Sequence, residues 1–306
     1  MLKNRIAVTS RSFSRHPLLR QKLLSYHKSV TFNNEGKTLC GDELAAFLAG
    51  HEKAIIALEK IDEALLKKLP DLKVISKFGV GLDAIDREAL KKRNIHLSYT
   101  PGVNKRSVSE LTLLLILSLL RKLVVLNLKL TQGGWEQQKG NCLTGKCVGI
   151  VGCGQVGKDL ISLISPFECQ IYYYDLQQNL DLQNKIQFLS LEDLLMHSDI
   201  VSLHLPLCDT TKNILNADRL ALMKPDALLI NTSRGGLVDE QALKERLKKG
   251  LLASAAFDVF AVEPPQDTEL LNLPRFLGTP HIGGSTEEAI LAMGYAAVEG
   301  LKINVN

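Results

Sequence analysis

Three polar side chains late in the chain have the types and settings for chemistry on a small acid. Arg234 follows the apolar run LLINTS and is succeeded by Gly235 and Gly236. Glu263 follows FDVFAV and precedes Pro264 and Pro265, while His281 follows Pro280 and comes just before Gly283 and Gly284. A guanidinium fork can hold a carboxylate by two parallel hydrogen bonds. An imidazole titrates near neutrality, so it can take a hydroxyl proton or return it. A carboxylate on its other ring nitrogen would fix the tautomer and favour the imidazolium. Loops beyond the carboxyl ends of an open α/β sheet line its binding crevice, so the three could converge there. The competing reading is three unrelated strand-end residues, with Arg234 in a salt bridge and Glu263 on the surface.

A glycine-rich turn supplies a partner for that chemistry. The strand pattern KCVGIV runs into Gly152-Cys153-Gly154-Gln155-Val156-Gly157, then a helical pattern to Ile164, then CQIYYYD ending in Asp175. Gly152 permits the turn, Gly154 lets the backbone approach a pyrophosphate, and Gly157 lets helix and strand pack closely. The helix N-terminus offers N–H groups and a positive dipole end to phosphates. A carboxylate at Asp175 would accept the ribose hydroxyls and repel a 2′-phosphate, which favours NAD over NADP. The alternative is a glycine turn and a surface Asp that match by coincidence. His204, in VSLHLP, could contact the cofactor through its loop or simply cap its strand. His16, His27, His51, His96 and His197 have no convergent partners in sequence and read as surface or packing residues.

The rest of the chain must position these groups. Its 306 residues, 45% hydrophobic and 23% charged, suit two domains or one large α/β unit. A net charge of +4 with interspersed signs does not suit a nucleic-acid binder. Cys40, Cys142, Cys147, Cys153, Cys169 and Cys208 form no CxxC pair, the histidines form no HxxxH pair, and no metal site is expected. No secretory signal is read at the start, so reduced thiols and a cytoplasmic location are the expectation. The apolar run Leu111–Leu120 is stopped by Arg121 and Lys122, too short for a membrane span. It reads as part of a long packed helix from about Ser107 to Leu130, buried between domains or against a second subunit.

Periodicity predicts strands at Arg5–Thr9, Ala54–Leu58, Leu72–Phe78 and Ile95–Tyr99, with Asp42, Asp62 and Asp86 capping the intervening helices. After the turn at Tyr99–Gly102 and the long helix, six further strands are expected: KCVGIV, CQIYYYD, DIVSLHL, DALLINT, LASAAFDV and one near Arg275–Thr279. Helical patterns fill Gln155–Ile164, Leu191–His197, Ala217–Met223 and Asp239–Lys249, and a tail helix Ser285–Leu301 carries a capping box of Ser285 and Glu288. Strands alternating with helices imply parallel sheets covered on both faces. The expected architecture is two doubly wound α/β lobes, residues 1–99 plus 284–306 and residues 100–283, with a ligand cleft between them.

Seven ordered blocks carry a resemblance: FGVGLDAID at 78–86, TPGVNKRSVSE at 100–110, the GCGQVG turn, HLPLCDTT at 204–211, NTSRGGLVDEQAL at 231–243, AAFDVFAVEPP at 255–265 and TPHIGGSTEEA at 279–289. On these the chain resembles the D-isomer-specific 2-hydroxyacid dehydrogenases, most like the D-3-phosphoglycerate dehydrogenases without their C-terminal regulatory domain. The resemblance implies a flavodoxin-like substrate domain, a Rossmann NAD-binding domain, and a homodimer formed through the 107–130 helix. It assigns Arg234 to substrate binding and catalysis, and Glu263 and His281 to a carboxylate–imidazole acid/base pair. Gly79, Val80 and Gly81 resemble the loop whose amides cradle the substrate carboxylate, and Lys77 a basic position near a substrate phosphate. Gly152, Gly154, Gln155, Val156, Gly157, Asp175, His204, Leu205, Pro206, Thr232, Ser233, Asp258 and Gly283 match cofactor positions.

Departures from the family pattern are Ala84 in place of Asn, and Ser109-Glu110-Leu111 in place of Ala-Glu-His. The implied reaction exchanges a 2-hydroxy acid for its 2-keto acid with NAD. Lys77, Lys105 and Arg106 favour 3-phosphoglycerate as substrate, ahead of hydroxypyruvate, glyoxylate or a D-lactate-type acid. A second reading from a different class is an NADH-sensing, corepressor-like binding protein.

Overall fold

The computed structural model describes residues 5–179, 182 and 186–303. Residues 1–4 and 304–306 of the expected first lobe lie outside them. The chain divides into two compact units, Met1–Asn104 with Gly284–Asn306, and Lys105–Gly283.

In the first unit, β1 (Ile6–Val8), α1 (Arg11–Arg15), α2 (Pro17–Tyr26) and β2 (Val30–Phe32) lead into α3 (Gly41–Leu48) and β3 (Lys53–Ile56). Then follow α4 (Glu63–Lys67), β4 (Val74–Lys77), α5 (Arg87–Lys92) and β5 (His96–Ser98). All pairs are parallel, in the order β2-β1-β3-β4-β5, which is the flavodoxin-like winding. Ile6, Ala7, Val8, Ala54, Ile55 and Ile56 are all fully buried, as expected of strands covered on both faces. Asp62 and Asp86 cap α4 and α5 by accepting from Leu65 N and Ala89 N. Asp42 does not cap: α3 begins one residue earlier, after Cys40, and Asp42 lies in its first turn. There its carboxylate still favours the positive end of the helix dipole.

The second unit opens with α6 (Lys105–Leu120) and α7 (Leu123–Thr131). The single long helix expected over 107–130 is therefore two helices, bent by 63°. Lys122 adopts a left-handed backbone, φ 54°, and the Leu120 carbonyl accepts from Asn141 N at 2.9 Å. A loop amide thus takes the hydrogen bond that a fifth turn of helix would have needed. Burial separates the halves too: α6 buries Val108, Thr112, Leu115, Ile116 and Leu120, whereas α7 buries no residue. No single helix among the described residues is long and apolar enough to cross a membrane.

The chain continues through β6 (Cys147–Val151), α8 (Gln155–Ile164), β7 (Gln170–Tyr174), β8 (Gln187–Phe188), α9 (Leu191–His197), β9 (Ile200–Leu203) and α10 (Ala217–Leu222). It ends this unit with β10 (Leu228–Asn231), α11 (Glu240–Lys248), β11 (Ser254–Phe257), α12 (Thr268–Leu271) and β12 (Phe276–Gly278). Among the described residues the sheet has seven strands, one more than the six expected, because β8 adds a two-residue edge. Its order, β12-β11-β10-β9-β6-β7-β8, reverses direction between β6 and β9. That reversal is the topological switch point of a Rossmann sheet, and ligands bind beyond the strand ends there. The tail helix α13 (Glu287–Gly300) belongs to the first unit, where Ala289, Met293, Ala297 and Val298 join the core around Ile6, Val8 and Phe13. Its cap is Thr286, accepting from Ala289 N at 3.1 Å, rather than the expected Ser285.

Candidate active site

The glycine turn leaves β6 at the switch point. Gly152 has φ +99°, and a Cβ there would meet the His204 carbonyl oxygen at 2.7 Å. At Gly157 a Cβ would collide with the Gly152 carbonyl oxygen, so α8 can lie this close to β6 only without a side chain. Gly154 caps α8, and the space where its Cβ would stand is open. An open cradle over the first turn of a ten-residue helix, with Gln155 and Val156 leading that turn, fits a pyrophosphate on backbone N–H groups. Asp175, just past β7, accepts from Cys153 N at 2.9 Å and from Leu176 N at 2.7 Å, which fixes its carboxylate against the turn. Cys153 is buried between them, and burial together with the Asp175 charge pushes its thiol up to about 12. It is a small filler, not a nucleophile.

At the other side of the sheet the loop after β12 carries His281. Its backbone is left-handed, φ +53°, a conformation that costs a β-carbon-bearing residue of order 1 kcal/mol. Asp258, 1% exposed at the end of β11, holds it there. The Asp258 carbonyl accepts from His281 N at 2.9 Å, and its carboxylate accepts from Ile282 N at 2.8 Å, Gly283 N at 2.7 Å and the Thr279 hydroxyl at 2.6 Å. Ser107 at the start of α6 adds a bond to the Gly283 carbonyl at 2.6 Å. The imidazole Nδ1 lies 2.7 Å from Glu263 Oε2, and the two side chains remain 40% and 37% exposed. An ionised carboxylate only accepts, so Nδ1 carries the proton and Nε2 of the neutral ring is left as a base. Glu263 is itself steadied by Phe260 N, which donates to its Oε1 at 3.1 Å.

Arg234 enters from the loop after β10. Its carbonyl accepts from Asn231 Nδ2 at 2.8 Å, and its Nη1 donates to the Ser233 carbonyl at 2.6 Å. The next residue, Gly235, packs directly on the Phe260 carbonyl and the Ala261 nitrogen, where any Cβ would overlap. The Arg234 loop is thus fitted against the turn that carries Glu263. Of the three groups expected to converge, Glu263 and His281 are hydrogen-bonded, while for Arg234 the contact is that of its neighbour Gly235 with the Phe260–Ala261 backbone.

Other residues expected at the cofactor also hold the surrounding structure. Thr232 is buried, with its hydroxyl 2.7 Å from that of Thr112 in α6. Ser233 turns its N–H and hydroxyl onto Asn231 Oδ1 at 3.2 and 3.1 Å. Leu205 is buried beneath Gly152, and the Pro206 carbonyl accepts from Thr211 Oγ1 at 2.7 Å. His204 backs the glycine turn with its main chain and pairs Nε2 with Ser202 Oγ at 2.9 Å, while its Nδ1 is buried with no hydrogen-bond partner among the described residues. Thr279, read from sequence only as a strand end and the start of TPH, supplies a hydroxyl to Asp258 that the sequence alone does not assign.

Burial pushes the His204 imidazole down to about 4. A group that binds its proton less readily in the folded state than in the unfolded one makes the folded state lose stability as pH falls. That loss begins near the ordinary imidazole value and is complete once pH passes about 4. His27 and His51, lowered chiefly by burial, act in the same direction. Melting curves from pH 7 to 4 should show a falling Tm, with a shallower slope in His204→Gln. Parallel slopes in the two proteins would contradict this.

The first unit holds the remaining expected residues. Gly79 has φ +120°, and Gly79, Val80 and Gly81 lie in the loop directly beyond β4. Lys77 is buried, and its ammonium donates to the Ala57 carbonyl. In the second unit Arg106 pairs with Asp159 at 3.0 Å. Two of the three cations expected near a substrate phosphate therefore have protein partners.

Fold and turn together define a dinucleotide-dependent enzyme class, and comparison with known proteins gives the family. Residues 113–283 match the NAD-binding domain of the D-isomer-specific 2-hydroxyacid dehydrogenases. The chain belongs to this family of NAD-dependent oxidoreductases, and NAD is its cofactor. It is 38% identical over 248 residues to a D-3-phosphoglycerate dehydrogenase of Methanocaldococcus jannaschii, covering 79% of this chain but only 47% of that one. It is 36% identical over 265 residues to a hydroxypyruvate reductase of Thermotoga maritima, covering 84% and 86% of the two chains. The crystal structure of a D-lactate dehydrogenase from Aquifex aeolicus, complexed with NAD and lactic acid, superposes with a TM-score of 0.86 at 27% identity over 96% of this chain and 93% of that one.

Proposed function

We propose that the protein interconverts a D-2-hydroxy acid and its 2-keto acid. The observation that carries this reading is the Glu263–His281 pair on an NAD-binding sheet. The reaction is CH(OH)–COO⁻ plus NAD⁺ giving C(=O)–COO⁻, NADH and a proton. NAD, when bound, supplies the hydride acceptor. His281 Nε2 takes the hydroxyl proton during oxidation, and the imidazolium returns it during reduction. Glu263 holds the ring by Nδ1 and stabilises the imidazolium. Arg234 is assigned to the substrate carboxylate, and the amides of Gly79, Val80 and Gly81 to substrate binding by the first unit. The units thus divide the work, the first as substrate domain and the second as NAD-binding domain.

The substrate is a small acid. Lys77 and Arg106 are engaged by Ala57 and Asp159, which supports an unphosphorylated 2-keto acid of the hydroxypyruvate or glyoxylate type. The second reading, 3-phosphoglycerate, draws on the similarity to phosphoglycerate dehydrogenases and on Lys105 at the start of α6. Following NADH at 340 nm with a panel of 2-hydroxy and 2-keto acids separates the two. Fastest turnover is expected with hydroxypyruvate or glyoxylate, whereas a preference for 3-phosphoglycerate or its keto acid would favour the second. Turnover of no acid, with a protein partner captured only in NADH, would point to a binding protein instead.

Cofactor choice rests on Asp175. In Asp175→Ala, NAD should bind about tenfold more weakly or worse, since a charged hydrogen-bond acceptor for the ribose is lost, and discrimination against NADP should relax. Fluorescence titration with NADH and NADPH checks this, and an unchanged NADH affinity would contradict the assignment.

A homodimer is the proposed assembly. On α7, Leu123, Val124, Leu128 and Leu130 are exposed, with Leu114 of α6 and the sole tryptophan, Trp135, also in water. Large apolar side chains left exposed on two consecutive helices gain from being covered. Light scattering should give twice the chain mass for the wild type and the single-chain mass for Leu128→Glu, with Trp135 emission shifting to the red. A wild-type monomer would contradict the proposal.

A further inference from the structure

Glu240 opens α11 directly after the cap residue Asp239. Its Oε1 accepts from Ala261 N at 2.7 Å, and the preceding amide, Phe260 N, donates to Glu263 Oε1 at 3.1 Å. Two carboxylates from different elements thus hold successive amides of one turn. The second oxygen of Glu263 faces His281 Nδ1 at 2.7 Å. The Phe260 carbonyl and Ala261 nitrogen of the same turn press on Gly235, the neighbour of Arg234. The turn at 260–261 therefore touches Gly235 and Glu263 directly, and reaches His281 through Glu263.

We propose that Glu240 is a positioning residue for the dehydrogenase reaction, its carboxylate clamping the 260–261 turn so that Glu263 stays aimed at His281. The inference rests on the functional reading given above. It adds a residue that touches neither acid nor cofactor and works through a backbone amide. Burial pushes the Glu240 carboxyl above its ordinary value, aided by the charges of Asp267 and Glu263 and opposed by the Ala261 N–H. Lys244, one turn along α11, is engaged by Asp267 at 2.7 Å and Glu269 at 3.3 Å. The hydrogen bond to Ala261 is thus the favourable interaction that keeps this carboxylate in place among like charges.

Two variants of the full chain separate hydrogen bond from charge. Glu240→Gln keeps an oxygen for Ala261 N, and Glu240→Ala removes it. Hydrogen exchange read by mass spectrometry over residues 256–264 should be roughly tenfold faster in the alanine variant and close to wild type in the glutamine variant, since local opening governs exchange. With the acid that the wild type turns over, kcat should fall roughly tenfold in Glu240→Ala while KM for NADH stays within about two-fold, because misaimed groups slow chemistry without weakening cofactor binding. Glu240→Gln should recover most of kcat. Wild-type exchange and kcat in the alanine variant would overturn the clamp, as would a glutamine variant that melts like wild type yet is as slow as alanine. If the wild type turns over no acid, the functional reading fails alone, and the exchange comparison still decides for or against the clamp.

Discussion

Replacing His281 by glutamine is expected to lower turnover roughly 10²-fold or more while NADH binds nearly as before. Glutamine can still donate to Glu263 and fill similar space, but it cannot carry a proton between a hydroxyl and water near neutral pH. The site loses proton transfer and keeps its shape. The loop would survive the change, because Asp258 holds it through the amides of Ile282 and Gly283 and the Thr279 hydroxyl, none of which involves the imidazole. NADH affinity by fluorescence and kcat from 340 nm progress curves separate the two effects. Undiminished turnover in the variant would remove His281 from the mechanism.

Adding one methyl group at Gly157 should have the largest effect on the NAD-binding unit. A Cβ there runs into the Gly152 carbonyl oxygen, a backbone atom that can yield only if the whole turn moves. Overpacking of a tight core commonly costs about 1–3 kcal/mol, and a backbone clash lies at the upper end. Gly157→Ala should therefore lower Tm by several degrees and weaken NADH about tenfold or more. Gly154→Ala is the informative partner. Its Cβ would stand in open space, so Tm should hold while NADH binding falls, because that space is the proposed seat of the pyrophosphate. Equal Tm for Gly157→Ala and wild type, or unchanged NADH affinity in Gly154→Ala, would break the assignment.

What could be read from the residues was set largely by local rules. The turn from Gly152 to Gly157 obeys fixed spacing between strand and helix, so α8 was found at Gln155–Ile164 as observed. Glu263 and His281 were legible as strand-end residues flanked by proline and glycine, and they meet at 2.7 Å. What escaped depends on partners far away in sequence. The Thr232 hydroxyl lies 2.7 Å from that of Thr112, 120 residues earlier, a pairing that local spacing does not show. The Asp258 carboxylate closes the loop of residues 279–283, satisfying amides that no periodicity marks. The break between α6 and α7 falls at Arg121 and Lys122, which mark the end of the apolar run, but the amide of Asn141 that donates to the Leu120 carbonyl there is 21 residues away. The strand β2 buries only Phe32 and β8 is two residues long, so neither carries an apolar run of its own.

The most direct test of the account follows the hydride itself. Wild-type protein is incubated with NAD⁺ and 2-hydroxy acids carrying deuterium at C2, and the nicotinamide product is read by mass spectrometry. NADH one mass unit heavier, formed in step with the 2-keto acid, is the predicted result. Bound NAD that acquires no deuterium from any acid on the panel would contradict it.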